Sequence, residues 1–104
     1  MSKHLLPFMV YFKCPASATF FTTRRIGLEM IRAIGREDIS SGFIAKEDIS
    51  ATLKTIHNKK IKATNQEVEF EKDSVNLSAR LFPFIRMLED ANKATEFVYW
   101  VEEL

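Results

Sequence analysis

Hydrophobic and polar positions divide this chain of 104 residues into segments with the two-residue repeat of strands and segments with the longer repeat of helices. Near the amino terminus, residues 8–13 are largely β-branched or aromatic and lie between Pro7 and Pro15, which predicts a strand. Residues 97–101 alternate in the same way and predict a closing strand. Both predicted strands carry apolar side chains on both of their faces.

A first helix is predicted to begin after an N-cap at Ser17 and to end near Ile34. Apolar or small residues recur at helical spacing along this segment: Phe20, Thr23, Gly27, Met30, Ile31 and Ile34. Gly35 follows at the point where a left-handed residue closes many helices. Inside the helix, Gly27 indicates close packing against a strand or another helix rather than a ligand site.

A second helix is predicted from about Glu47 to Asn58. Its apolar stripe consists of Ile49, Leu53 and Ile56. Glu47 and Asp48 fall in the first turn, where carboxylates favour the positive end of the helix dipole, and this interpretation outweighs that of a catalytic pair. His57 falls in the last turn, where a positive charge suits the carbonyl ends. Residues 43–44, ahead of the helix, are predicted to be buried anchors or the start of a very short strand.

Residues 59–72 form the most polar part of the chain, and inside them Glu67–Glu71 alternates strictly, which favours an edge strand over a charged loop. A third helix is predicted after an N-cap at Asn76, ending at residues 92–95. Its buried stripe is Leu77, Leu81, Phe84, Ile85, Leu88 and Ala91. Pro83 lies too far inside to be a first-turn proline, and it predicts a kink that curves the helix around a small core.

These elements predict a single α+β domain over residues 1–104, in the order strand, helix, helix, weak strand, helix, strand. A small twisted sheet would form one layer and about three helices the other. Three helices most simply cover one face of so small a sheet, and the second apolar face then predicts a homodimer that packs or extends the sheet. Helices divided between both faces would complete the monomer, and the sequence leaves both arrangements open.

Composition narrows the class of protein. Hydrophobic residues make up 46% of the chain and charged residues 28%, which is typical of a folded globular domain. The net charge of +1 predicts neither nucleic-acid nor membrane binding. The lone Cys14 excludes an internal disulfide. Residues 5–12 form an apolar run before Ala18, but the run is short and contains Pro7, so a strand and a cytoplasmic location are favoured over a signal peptide.

Few side chains in the sequence are candidates for catalysis or for binding a metal or ligand. His4, Cys14 and His57 lack the paired spacing of a zinc site, and no nucleophile motif or phosphate-cradling glycine loop is present, so neither a cofactor nor a catalytic group is predicted. Arg80 is interpreted first as a surface arginine or an ion-pair partner, and alternatively as a bidentate grip on an acidic ligand or partner. The Trp100 N–H requires a partner, and a tryptophan so close to the last residues is predicted at an edge or an interface.

The chain resembles the small bacterial proteins grouped as domain of unknown function 1840. The resemblance is carried by Val10–Lys13, Met30–Gly35, Gly42–Ile44, Glu47–Ile49, Val75–Leu88 and Val98–Trp100. It spans nearly the whole chain, although Gly27 stands where alanine is expected and four residues continue past Trp100. The resemblance implies a compact bacterial α+β protein, and it implies no activity, substrate or cofactor.

The leading hypothesis is therefore a non-enzymatic cytoplasmic protein that acts by binding, as a homodimer, through an aromatic sheet face that includes Tyr99. The alternative is a pocket for a small anionic molecule, or a minor enzyme, at a subunit seam where Arg80 binds the anion. Export is a third hypothesis, and it requires cleavage after Ala18.

Overall fold

The described residues fold into a four-stranded antiparallel sheet packed on three α-helices. The structure, a computed structural model, describes residues 9–66 and 71–103, and for residues 60–66 and 71–77 it describes the backbone alone. The elements are β1 (Met9–Cys14), β2 (Ser17–Thr23), α1 (Arg24–Ala33), β3 (Ser41–Ile44), α2 (Ile49–Gln66), α3 (Glu71–Ala94) and β4 (Val98–Glu103). The strands lie in the order β2-β1-β4-β3. The expected α+β class is confirmed.

The start of the predicted first helix is wrong, because Ser17–Thr23 form strand β2 instead. The segment is rich in threonine and phenylalanine, and a tight turn returns it antiparallel to β1. The Phe20 ring stacks on the Phe12 ring with 4.9 Å between centroids, a cross-strand contact that a helix would not make. Phe20 and Thr23 of β2 and Gly27 of α1 are spaced three and four residues apart, and this spacing imitated a helical repeat across two different elements.

Helix α1 begins where β2 ends, with Thr23 as its N-cap. The Thr23 hydroxyl accepts the backbone N–H of Ile26 at 3.3 Å. Gly35 has a φ of 82° just past the helix, so the predicted left-handed cap is confirmed. Close packing at Gly27 is confirmed as well, since a Cβ added there would lie 3.1 Å from Val10 Cγ2 on β1.

Helix α2 extends beyond the predicted end, from Ile49 to Gln66, so His57 lies inside the helix rather than in its last turn. A single 3₁₀ turn over Lys46–Asp48 precedes α2. The lysines, alanine and glutamine in the extension are good helix formers, so the helix continues although no apolar stripe in the sequence predicts it there. Ile49 and Ile56 are fully buried, as predicted.

Helix α3 begins at Glu71 rather than after Asn76, and it continues through Pro83 to Ala94. Of the edge strand predicted over Glu67–Glu71, residues 67–70 lie outside the described part of the chain, and Glu71 is helical. Five residues of the predicted buried stripe are confirmed as core: Leu81, Phe84, Ile85, Leu88 and Ala91.

The core lies between the helices and one side of the sheet. It combines strand residues Val10, Phe12, Ile44, Val98 and Trp100 with Met30 and Ile31 of α1 and the buried residues of α2 and α3. Burying each large apolar side chain contributes about 1.5–3 kcal/mol. At β3 the short-strand interpretation is confirmed, whereas Phe43 is not a buried anchor, because 52% of its surface is exposed.

A candidate interaction surface

The two sides of the sheet differ in what covers them. Along β1, Val10, Phe12 and Cys14 are buried under the helices, whereas the alternate residues are only partly buried. The strand pairings place one set of side chains on the side that no described helix covers: Met9, Tyr11, Lys13, Phe21, Thr23, Ser41, Phe43, Tyr99, Val101 and Glu103. We call this set, together with the adjoining Phe97, the open face. Among the described residues, all three helices pack on the opposite side.

Aromatic rings dominate the open face. Tyr11 and Phe21 lie 5.4 Å apart between centroids across β1 and β2. On the other half of the sheet, the Phe97 ring lies 5.3 Å from Phe43 and 6.0 Å from Tyr99. Phe21 and Phe43 expose 58% and 52% of their surfaces. These rings stabilise one another through tilted contacts, and within the described part of the chain they form an apolar surface on which Phe21 and Phe43 stay more than half exposed.

Two residues of the open face are charged, and they lie at opposite ends of the central strand pair. Lys13 is directly opposite Tyr99, and Glu103 is directly opposite Met9. Lys13 is partly buried among its neighbours, whereas Glu103 is exposed. Neither is in a salt bridge with another described residue. The face is therefore apolar across its middle, positive at one end and negative at the other.

Trp100 lies on the covered side of the sheet, within the core, and is fully buried. Its indole N–H donates to the backbone carbonyl of Asp38 at 2.7 Å, which supplies the partner that the sequence required. A Cβ added to Gly42, its neighbour on β3, would overlap the indole ring. The absence of a side chain at Gly42 thus makes room for Trp100, whose place is in the core rather than on the open face.

Arg36 holds the loop after α1 against β3 and Trp100. Its guanidinium donates to the carbonyl of Phe43 at 3.0 Å and lies 5.1 Å from the centroid of the Trp100 ring. The same guanidinium forms two hydrogen bonds to the Asp38 carboxylate, at 3.2 and 2.8 Å. These bonds hold the pKa of Asp38 below its usual value, against a smaller opposing effect of burial.

Arg80 joins two helices. Its Nε donates to Oε1 of Glu29 at 2.6 Å, and Nη2 reaches Oε2 at 3.5 Å, so the guanidinium fork of α3 faces a carboxylate on α1. Both side chains are 35% exposed. The donors that an anionic ligand would use are thus turned toward Glu29. This arrangement matches the interpretation of Arg80 as an ion-pair partner, and the residue lies away from the open face.

A shallow cleft of about 370 Å³ lies between β2 and α3. Its lining includes Phe20, Phe82 and Pro83, and three of its polar side chains contact one another. The Ser17 hydroxyl donates to Asp90 at 3.1 Å, and Arg86 lies 3.7 Å from the same carboxylate. Cys14 is buried, and the described residues contain no group of three metal-ligating side chains.

Of the three residues singled out from the sequence, the structure brings none together. Tyr99 alone lies on the open face, while Trp100 is in the core and Arg80 is on α3. The sequence did not identify Phe21 and Phe43 as residues of this face, nor Lys13 and Glu103 as its two charged ends. The threonine and phenylalanine content of Ser17–Thr23, which is typical of a strand, was the available signal for Phe21, but the segment was interpreted as part of a helix.

A comparison with known protein families identifies the family of this chain. A family model described as Domain of unknown function (DUF1840) matches residues 8–100. The chain belongs to this family. The match confirms the resemblance found in the sequence, and it includes β1, β2 and β3 entirely but only the first half of β4, which continues to Glu103. No curated protein and no solved structure matches the DUF1840 chain. None of the helices in the described ranges is both long enough and apolar enough to cross a bilayer.

Proposed function

We propose that this DUF1840 protein acts by binding rather than by catalysis, and that its open face binds a second copy of the same chain. The observation that carries the proposal is the one-sided packing of the described helices, which leaves five aromatic rings on the other side of the sheet. An apolar area of this kind is unfavourable in water. A partner that covers it gains the free energy of burial.

The size of the open face supports this proposal. Four strands about 4.8 Å apart, of which three have six or seven residues and β3 has four, give a plane of roughly 19 Å by at most about 20 Å at about 3.4 Å per residue, before side-chain relief is counted. The largest apolar patch on a typical monomer is about 300–600 Å², and patches of that size are often functional. A standard interface takes about 800 Å² from each partner, so the open face suits a small interface whose occupancy depends on protein concentration.

A second copy is the favoured occupant because the open face is complementary to itself. Its middle is apolar, and its two charged residues, Lys13 and Glu103, have opposite signs, so each charge of one copy can pair with the opposite charge of the other copy. Two-fold symmetric dimers are also the commonest oligomers, since one favourable contact is made twice. A partner of different sequence would need a matching pair of charges that this chain already supplies.

The experiment compares glutamate substitutions on and off the open face. Phe43→Glu and Tyr99→Glu place a carboxylate in the proposed interface, where burial without a partner is costly. The control is Phe82→Glu, at a position that is 62% exposed on α3 and off the open face. Native mass spectrometry should show dimers for the unmodified chain and for Phe82→Glu, and monomers for both open-face variants.

Two results would contradict the proposal. The first is a monomer at every concentration of the unmodified chain. The second is a dimer that survives Phe43→Glu and Tyr99→Glu, which would place the contact elsewhere, for example on the edge of β2. Circular dichroism of all variants must show intact folding, so that a lost dimer reports on the surface alone.

A further inference from the structure

The strand register divides the strand residues of the open face into three rows that run across the strands. The middle row contains Phe21, Tyr11, Val101 and Ser41, in the order of the strands. One outer row contains Lys13, Tyr99 and Phe43, and the other contains Thr23, Met9 and Glu103. The positive and negative rows are separated by four residues along a strand, or about 13 Å. The charge of the open face is thus polarised along the strand direction.

We infer that two copies meet face to face about a two-fold axis that runs across the strands, along the middle row. This inference rests on the homodimer proposed above and adds its geometry. Lys13 of each copy then lies over Met9 of the partner subunit and beside Glu103 of the partner subunit. Those two partner residues are directly opposite each other on neighbouring strands, about 5 Å apart, which is within reach of a lysine side chain.

The choice of axis follows from the alternatives. Two sheets that pack with aligned strands have their two-fold axis either across the strands or along them. An axis along the strands places each row over the same row of the partner, so that lysine approaches lysine and glutamate approaches glutamate. An axis across the strands exchanges the ends, so that each lysine approaches a glutamate. The reduced dielectric of a partly dried interface strengthens both effects, and they favour the axis across the strands.

The same axis gives the interface a favourable layout. Phe21, Tyr11 and Val101 meet their own copies along the axis, at the centre of the contact, where water is most fully excluded. The two Lys13 and Glu103 pairs lie toward the ends, where they remain partly hydrated. Interfaces commonly have such an apolar centre with charged groups at the rim. The charges would then fix the register of the two sheets, and the aromatic centre would supply the affinity.

Charge reversal tests the axis. The dimer dissociation constant is measured by sedimentation for the unmodified chain, for Lys13→Glu, for Glu103→Lys and for the double variant. Each single reversal turns two attractive pairs into two repulsive ones and should weaken the dimer about tenfold or more. The double variant exchanges the signs, and its dissociation constant should return to within about threefold of the original. Added salt should weaken the unmodified dimer.

The alternatives predict different results. With the axis along the strands, a reversed residue still faces its own copy, so single variants would dimerise like the original and added salt would strengthen the dimer. A dimer contact elsewhere on the chain, away from Lys13 and Glu103, would also leave the single variants without effect. Either result overturns the inference while leaving the homodimer in place. A monomeric unmodified chain would instead contradict the proposed function itself, and with it the axis.

Discussion

Trp100 shows how one side chain connects three parts of the fold. Its ring fills the space over Gly42, its N–H donates to the carbonyl of Asp38, and the guanidinium of Arg36 lies against its ring. The loop after α1, the edge strand β3 and the central strand β4 are therefore held by a single indole. Because the chain contains one tryptophan, its fluorescence reports directly on this junction.

Gly42→Ala should destabilise the protein by about 1–3 kcal/mol, because the added methyl group overlaps the indole ring and must displace it or the β3 backbone. Ser41→Ala is the matched control, since Ser41 is an exposed neighbour on the same strand. Urea unfolding followed by Trp100 fluorescence measures both variants. Equal stability of Gly42→Ala and the unmodified chain would show that the indole does not occupy this space.

Arg36→Met should lower stability by about 1–2 kcal/mol at neutral pH, since it removes the bond to the Phe43 carbonyl and the contact with the Trp100 ring. The pairing with Asp38 adds a smaller part, because both side chains are more than a third exposed to screening water. The pKa of Asp38 is lowered in the folded protein from an ordinary value of 3.8. The contribution of the Arg36–Asp38 pair to the free energy of unfolding is therefore fully present above pH 3.8 and is lost as the pH falls below it.

Unfolding at a series of pH values checks this expectation. The difference in the free energy of unfolding between the unmodified chain and Arg36→Met should become smaller below pH 3.8. What remains is the contribution of Arg36 that does not depend on Asp38. In an Asp38→Asn background the same substitution should show no such narrowing. A difference that widens on acidification would contradict the assignment of Arg36 as the partner of Asp38.

At the scale of elements, the ion pair between Arg80 and Glu29 links α3 to α1. A double-mutant cycle with Arg80→Ala and Glu29→Ala should give a coupling of about 0.2–1 kcal/mol, a small value because both side chains are 35% exposed. Thermal or urea unfolding provides the four stabilities. A coupling of zero, together with stabilisation of the unmodified chain by phosphate that Arg80→Ala abolishes, would instead favour an anion site at Arg80.

The sequence predicted those elements whose boundaries are marked by residues with one strong preference. Gly35 ends α1 as expected. The end of α3 also falls within the predicted residues 92–95, although Thr95 there adopts a φ of 57°, which a β-branched residue disfavours. Both helices end with the same pair of backbone bonds, one of which joins the N–H of Glu96 to the carbonyl of Ala91 at 2.9 Å. Pattern alone failed at Ser17–Thr23, because the decisive contact there is between strands and is not local.

At the scale of the whole molecule, part of the candidate site could be predicted and part could not. Two-sided apolar strands implied that a second sheet face needs a cover, and Tyr99 was placed on it. The side on which the helices pack depends on long-range contacts, and periodicity does not specify them. Lys13 and Glu103 can be recognised as the two charged ends of the open face only from the register of β1 with β4, which pairs residues some ninety positions apart in sequence.

Sedimentation of the unmodified chain over a wide range of concentrations tests the central claim most directly. The open face predicts a reversible change from the monomer, at 12.0 kDa, to a species of twice that mass as concentration rises. Phe43→Glu should shift this change to much higher concentration. A single species of 12.0 kDa throughout, with the open face still in water, would contradict the account.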